Sequence, residues 1–358
     1  MIRPDAPPLA ARGSYNVGVQ TLELTDASRS RTFTVEVWYP TTAPDADILY
    51  TTQLGKTPVR ISGRATRDAT PLKETFPLIV ASHGQPGVRF QYAYLCEQLA
   101  SRGFVVASIE HTGSTYKDLT EQDYVTSLVY RPQDVLFTID EIPKRVASAD
   151  ANNVGLLGYS YGGYSVINAA GAGLDGAAFT EYCQTAADKG PCFALPFFAS
   201  LEQARGINVV QSDPRIKAVF VMAPYGQPWL GEKSMANLKV PLFVAVGEND
   251  DVAVYERDGL EYFRRAGSEN KYLLTLENAQ HNPFVECPED LKTTSWQDFE
   301  RCSEPVWNHE RSHDITKHFA SAFFGRFLQS DESAGEFLKS ELPGFKPRTT
   351  TGVRLEVE

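Results

Sequence analysis

The sequence predicts an α/β fold: a mostly parallel central sheet with helices on both faces, an antiparallel N-terminal hairpin and lid-like insertions. Three observations predict it. Short, continuously apolar runs alternate with helical stretches from Pro77 to Leu328, the pattern of strands covered on both faces. Two longer strand-like runs precede them and read as a hairpin. One apolar run, Val154 to Leu157, leads straight into Gly158-Tyr-Ser-Tyr-Gly162, a strand-to-helix turn with a serine at its apex.

The elements follow in order. Residues 1–14 are rich in Pro and Ala and are expected to fray. Tyr15 to Leu24 and Thr32 to Tyr39 are the hairpin strands, the second placing Phe33, Val35 and Val37 on one face. Asp26-Ala-Ser-Arg-Ser30 is the loop between them. Residues 41–75 read as a polar surface excursion. Leu78–Ala81 is a strand and 88–102 a helix ending at Gly103. In that helix Tyr92, Leu95, Cys96 and Leu99 share one face, so Cys96 is expected to be buried. Phe104–Ile109 is a strand, and 132–147 a helix with Pro132 near its start. The elbow strand and the helix 161–171 come next. Ile216–Met222, Pro241–Val246 and Tyr272–Leu276 are strands. Helices at 254–266 and 312–328 complete the pattern.

Three stretches near 112–130, 172–214 and 283–311 do not fit the repeating unit. They hold aromatics such as Tyr116, Tyr124, Phe193, Phe198, Trp296 and Trp307. An apolar lid over the strand ends and small satellite cores are both consistent with them. The expected organisation is one unit over 15–330 with these insertions, after a flexible segment 1–14 and before a C-terminal extension 331–358.

Of the 358 residues, 42% are hydrophobic and 22% charged, ordinary for a globular chain. The net charge of −11 disfavours nucleic acid and anionic membranes, which would repel it. No apolar stretch approaches membrane-spanning length. Cys183 and Cys192 bracket one polar loop, and Cys287 and Cys302 another. Two local pairs suit disulfides that staple excursions lacking their own core. Unrelated thiols are the alternative, and neither pair has C-x-x-C metal spacing. The N-terminus lacks the apolar core of a signal peptide. A secreted or periplasmic protein with its signal removed reconciles the two facts; a cytoplasmic protein with reduced cysteines is the alternative.

The elbow makes Ser160 a candidate nucleophile. Glycine at 158 and 162 suits so sharp a bend, and the helix that follows points its amides at the reacting centre. Serine needs a base, usually histidine. In this kind of fold the chain order is serine, acid, histidine, which excludes His83 and His111 as the base. His281 lies in a short turn after the last strand and is the expected base. His309, His313 and His318 lie on or beside the last helix and read as packing or surface residues. Glu248, Asp250 and Asp251 follow the preceding strand. Asp250 is the expected acid and Asp251 the reserve. The expected oxyanion donors are the amides of Tyr161 and of Gln85, in the loop Ser82-His-Gly-Gln-Pro-Gly87. His83 is expected to brace that loop.

These segments together resemble the dienelactone-hydrolase-like branch of the α/β-hydrolases, and more narrowly the bacterial relatives of platelet-activating-factor acetylhydrolase. The resemblance rests on Val35-Glu-Val-Trp-Tyr-Pro40, Ser82-His-Gly84, Arg102-Gly-Phe-Val-Val-Ala107, Glu110-His-Thr-Gly-Ser114, Arg131-Pro-Gln-Asp134 and Gly158-Tyr-Ser-Tyr-Gly162. Gly247-Glu-Asn-Asp-Asp-Val-Ala253 and Asn278-Ala-Gln-His281 are similar to segments of cutinase-like polyester hydrolases, a likeness that also points to Asp250 and His281. Two departures stand out. Dienelactone hydrolases proper use a cysteine nucleophile, and the mammalian acetylhydrolases place their acid one strand earlier, where this chain reads Met222-Ala-Pro-Tyr225.

The resulting expectation is a serine carboxylic ester hydrolase acting on short-chain acyl esters or polyesters. It needs no cofactor and no metal, does not bind nucleic acid, and is a monomer or homodimer. An amidase or peptidase with the same residues, or a non-catalytic binding protein on the same scaffold, are the alternatives.

Overall fold

The computed structural model describes residues 3–54, 57–198 and 213–358. Ten strands form one sheet in the order β12-β11-β10-β9-β8-β6-β7-β2-β1-β5, its edge strand β5 being the short run Thr66–Arg67 beside β1. The strands β6 (Phe76–Ser82), β7 (Val105–Glu110), β8 (Ala149–Tyr159), β9 (Ile216–Met222), β10 (Leu242–Gly247) and β11 (Lys271–Leu276) run parallel. The hairpin β1 (Asn16–Asp26) and β2 (Arg31–Thr41) joins antiparallel through β2 and β7. The α/β class and the N-terminal hairpin read from the sequence are therefore observed.

Alternate residues of each strand feed opposite cores, because successive side chains point to opposite faces. Ile79, Phe220, Phe243 and Leu274 pack under α1 (Ala93–Ser101) and the helix His309–Leu328. Val80, Val105, Val221 and Val244 pack under α2 (Glu121–Arg145) and α3 (Tyr161–Ala169). The Phe220 and Phe243 rings stack 4.5 Å apart, and Phe323 meets both edge-on. Truncating a phenylalanine so placed costs about 3–5 kcal/mol.

Several expectations are corrected. The segment 3–14 does not fray: Ala10 is buried, and Gln98 Nε2 donates to Leu9 O at 2.8 Å and Ala11 O at 2.7 Å. The excursion 41–75 contains a two-stranded ribbon, β3 (Asp47–Leu54) and β4 (Thr57–Arg64), whose Tyr50 and Ile61 are buried. The first helix starts at Ala93 rather than 88. Helix α2 starts at Glu121, so Pro132 lies inside it and most of the insertion 112–130 is helix. Leu276 does not end the sheet, since β12 (Val353–Val357) from the C-terminal extension pairs antiparallel with β11.

Both cysteine pairs form disulfides, Cys183–Cys192 and Cys287–Cys302, and Cys96 is buried and free. The first clips the end of α4 (Gly176–Thr185) to the turn that follows. Residues 199–212 of the insertion 172–214 lie outside the described residues. Among the described residues no helix is long and apolar enough to cross a membrane.

The chain reverses direction across the sheet at β6, which has β7 on one side and β8 on the other. Loops leaving the carboxyl ends of β6 and β8 therefore diverge and leave a crevice between them, where ligands of open α/β sheets bind. Ser82–Gly87 leaves β6 there, and Ser160 leaves β8.

Candidate active site

Ser160 sits at φ 55°, ψ −123° between β8 and α3. A non-glycine residue at positive φ is strained, and such strain persists only where the surroundings enforce it. Here the neighbours do so. The Ser160 N–H donates to Met222 O at 2.9 Å, and Ser160 O accepts from Gly163 N–H at 2.8 Å and Tyr225 N–H at 3.1 Å. The two flanking glycines are needed for space. A Cβ on Gly162 would lie 1.9 Å from Ser82 O, and one on Gly158 2.4 Å from Gly162 O.

The structure brings Ser160, His281 and Asp250 together from three loops. His281 Nε2 lies 3.0 Å from Ser160 Oγ, and His281 Nδ1 lies 2.7 Å from Asp250 Oδ2. A carboxylate only accepts, so Nδ1 carries the imidazole proton and the Nε2 lone pair faces the hydroxyl. Asp250 Oδ1 accepts from the N–H groups of Val252 and Ala253, both at 2.8 Å. Its two oxygens are thereby assigned, one to the backbone and one to the imidazole. The His281 side chain is 11% exposed and that of Asp250 0%, and Ser160 lines the cleft, so the imidazole meets solvent while the carboxylate is covered.

The loops carrying the last two residues interlock. Asn249 N–H donates to Ala279 O at 2.8 Å, and a Cβ on Gly247 would lie 2.2 Å from Gln280 O. Tyr159 OH donates to Asn282 Oδ1 at 2.9 Å, tying the residue after His281 back to the elbow strand. The rival acids stand elsewhere. Asp251 is exposed on the rim of the cleft, and Glu248 Oε2 accepts from Asn278 N–H at 3.2 Å.

Gln85 and Tyr161 line the same cleft as Ser160. The Tyr161 N–H opens α3 and has no carbonyl one turn back to bond. Among the described residues no protein group accepts the Gln85 N–H. The buried Gln85 side-chain amide also lacks a protein partner. A Cβ on Gly84 would lie 3.5 Å from Ser160 Cβ, so this loop runs directly beside the serine. Two polarised N–H groups near a nucleophile are what a developing oxyanion requires.

The cleft holds about 610 Å³, within the range of small-molecule sites. Tyr124, Phe193 and Tyr225 give it an aromatic wall, and Val252 and Val254 add aliphatic surface. Phe193 meets Tyr124 and Trp229 edge-on, at 5.8 and 6.1 Å. Phe193 follows Cys192 directly, so the Cys183–Cys192 disulfide holds part of the wall. A second tie is Arg257, which donates to Asp188 Oδ2 at 2.6 Å across the cleft. The insertion aromatics Tyr124 and Phe193 thus face the cleft. Phe198 instead packs on Phe179 at 4.6 Å, in a buried cluster.

Sequence reasoning missed the cleft residues Asp188, Tyr225, Val252, Val254 and Arg257, because nothing in their local pattern separates them from other loop residues. It also missed a buried polar cluster under the Gln85 loop, made by Ser82, His111, Arg131 and Asp134. Its residues lie in the strings Ser82-His-Gly84, Glu110-His-Thr-Gly-Ser114 and Arg131-Pro-Gln-Asp134, but nothing local shows that Arg131 and Asp134 of α2 are buried. Among the described residues no group of three or more His, Cys, Asp or Glu could hold a metal ion.

A family model described as platelet-activating factor acetylhydrolase, isoform II, matches residues 46–122. That stretch contains the β3–β4 ribbon, β6, the Gln85 loop, α1 and β7, and stops short of Ser160, Asp250 and His281. The match, together with the large, mostly parallel sheet covered by helices, identifies the architecture as the α/β-hydrolase fold and supports an acetylhydrolase-like family.

Proposed function

We propose that the protein is a serine carboxylic ester hydrolase acting on short-chain acyl esters, with polyesters as a second substrate form. The observation that carries this reading is the unbroken row from Asp250 Oδ2 through His281 to Ser160 Oγ. Ser160 Oγ attacks the ester carbonyl carbon while its proton passes to His281 Nε2. Asp250 holds the ring in the tautomer that can accept this proton, and stabilises the imidazolium that forms. The carbonyl oxygen becomes an oxyanion beside the Gln85 and Tyr161 N–H groups, each such donor contributing about 3–4 kcal/mol to the barrier reduction. The tetrahedral centre then collapses. The alcohol leaves with the proton from Nε2, and the acyl group remains on Oγ. Water repeats the sequence, giving its proton to Nε2, and releases the carboxylic acid.

The aromatic wall supports an uncharged acyl or alcohol group as the part that is bound. Exposed Asp251 and the acidic net charge disfavour anionic substrates by repulsion. The two disulfides support an oxidising location, secreted or periplasmic. The test is a panel of p-nitrophenyl esters of graded acyl length, assayed with the wild type and Ser160→Ala. Hydrolysis that peaks at short chains and vanishes in the variant supports the reading. Absence of hydrolysis across the panel points to a binding protein on this scaffold, and hydrolysis that survives Ser160→Ala refutes the nucleophile.

A further inference from the structure

Beneath the Gln85 loop lies a second serine–histidine–aspartate row, sealed from solvent. Ser82 Oγ lies 2.9 Å from His111 Nε2, and His111 Nδ1 lies 2.9 Å from Asp134 Oδ2. All three residues, together with Arg131, are fully buried. No substrate reaches Ser82, so this row performs no ester chemistry of its own. Its connections run to the loop backbone instead. The Arg131 guanidinium donates to Ser82 Oγ at 3.0 Å, to Gly84 O at 3.3 Å, and to His83 O. His83 Nδ1 lies 2.6 Å from Gly84 O, and His83 Nε2 lies 3.1 Å from the His111 N–H nitrogen.

The proton positions follow from what each partner can do. A backbone N–H only donates, so His83 Nε2 accepts from His111, and Nδ1 carries the proton that goes to Gly84 O. A carboxylate only accepts, so His111 donates from Nδ1 to Asp134. His111 Nε2 then accepts from Ser82 O–H, and Ser82 Oγ in turn accepts from Arg131. Each of these bonds has one donor and one acceptor, provided both imidazoles are neutral. Burial, then the Arg131 charge, pushes His83 well below the ordinary histidine value and His111 to about 3. Burial pulls Asp134 upward, but hydrogen bonds from His111 and Arg31 outweigh it and hold the carboxylate at about 2. Arg29 and Arg31 reach Asp134 at 2.9 and 2.8 Å and supply the balancing charge.

Two donors therefore grip one carbonyl, that of Gly84. The peptide joining Gly84 to Gln85 is trans, the cis bond lying one residue later. In a planar trans peptide the C=O and N–H point in opposite directions. Holding the oxygen toward His83 and Arg131 turns the Gln85 N–H to the other side, away from the buried row. We propose that His83 and Arg131 are positioning residues that aim the Gln85 N–H at the reacting carbonyl by fixing the Gly84 oxygen, with Ser82, His111 and Asp134 holding them in register. The inference rests on the reading of Gln85 as an oxyanion donor.

The test compares a p-nitrophenyl ester with its thiono analogue, in which sulfur replaces the carbonyl oxygen and accepts hydrogen bonds poorly. The ratio of the two kcat/KM values reports how well the oxyanion donors are aimed, and general loosening of the fold lowers both values together. His83→Gln keeps an amide near the His111 N–H but loses the donor at the Nδ1 position. In this variant the ratio is expected to fall about tenfold, a part of the ~10²–10³ that a lost donor costs. His83→Asn places its amide nitrogen near the Nδ1 position and is expected to recover most of the ratio. A folded His83→Gln protein, judged by its thermal melt, with the wild-type ratio overturns the proposal. If that variant does not fold, Ser82→Ala removes one link of the same chain. Its ratio is expected to fall, and an unchanged ratio again overturns the proposal. A wild type that hydrolyses ester and thionoester equally well refutes the oxyanion reading itself, which is a different failure.

Discussion

Replacing Asp250 by Asn tests the acid through the tautomer it imposes. The side chain keeps its shape, but only one of its two polar atoms can now accept. Val252 and Ala253 both present N–H groups at 2.8 Å to the Oδ1 position. Placing the new NH₂ there would set donors against two donors and leave two buried groups unsatisfied, at about 1–3 kcal/mol each. The Asn oxygen therefore stays with the backbone, and its NH₂ faces His281 Nδ1, 2.7 Å away in the parent. Two donors cannot share that contact, so the imidazole proton moves to Nε2. Nε2–H then points at Ser160 Oγ and can no longer take its proton. The serine-protease precedent for this tautomer error is a loss of about 10⁴ in kcat, equivalent to about 5 kcal/mol of barrier. The assay is kcat on p-nitrophenyl butyrate beside a thermal melt, and the melt is expected to stay within a few degrees because the backbone bonds survive. A folded Asp250→Asn protein that loses less than about tenfold, against the ~10⁴ expected, refutes the argument. So does an equal loss in Asp251→Asn.

Three further outcomes follow from other contacts. Gly162→Ala puts a methyl group 1.9 Å from Ser82 O and 2.6 Å from His83 O; backbone must move, and a urea melt should show destabilisation above about 3 kcal/mol, whereas wild-type stability contradicts the packing. Opening the Cys183–Cys192 bond with a Cys183→Ser, Cys192→Ser pair removes a constraint worth about 3 kcal/mol by loop-closure entropy. Because Phe193 adjoins it, KM for the longer acyl esters should rise while acetate hydrolysis is largely kept, and an unchanged profile across the panel contradicts this. Burial, then the Arg102 charge, holds His318 at about 3. The unfolded chain, titrating near the ordinary ~6.5, takes up a proton that the folded protein declines. Stability from this group is thus present above pH ~6.5 and falls as pH falls toward 3, by about 2 kcal/mol at pH 5. His318→Asn, which keeps an acceptor for the Leu9 N–H, should lose that much less than wild type between pH 7 and pH 5 in urea melts, and equal losses contradict the reasoning.

Much of the fold was legible because its strands are buried on both faces and stand out as continuous apolar runs. Residues 154–162 were legible for a further reason: only glycine fits where Gly162 meets the Ser82 carbonyl, so the bend writes itself into the sequence. His281 and Asp250 were accessible through chain order and strand ends, although the choice of Asp250 over Asp251 depends on which side chain turns inward, a tertiary fact. The β3–β4 ribbon was missed because one of its faces is polar and each strand buries only two residues, Tyr50 and Thr52 on β3 and Val59 and Ile61 on β4. The start of α2 was misplaced because Pro132 reads as a first-turn residue. The stronger signal lay at Thr120-Glu-Gln-Asp123, where Thr120 and Asp123 form a reciprocal capping box. The buried row under the Gln85 loop was illegible because charged residues on a helix read as a solvated face until the fold shows Arg131 and Asp134 pointing inward. The N-terminal segment and β12 are held against the rest of the fold by contacts with residues far away in the chain, which no local pattern encodes.

The central claim is that the Ser160 hydroxyl is made nucleophilic by the groups around it. Incubating folded protein with a fluorophosphonate and mapping the adduct by peptide mass spectrometry tests this without a choice of substrate. One phosphonyl group per chain, located on Ser160 and absent from both Ser160→Ala and heat-unfolded protein, is the result expected. No adduct on the folded wild type, or an adduct on a different serine, contradicts the claim.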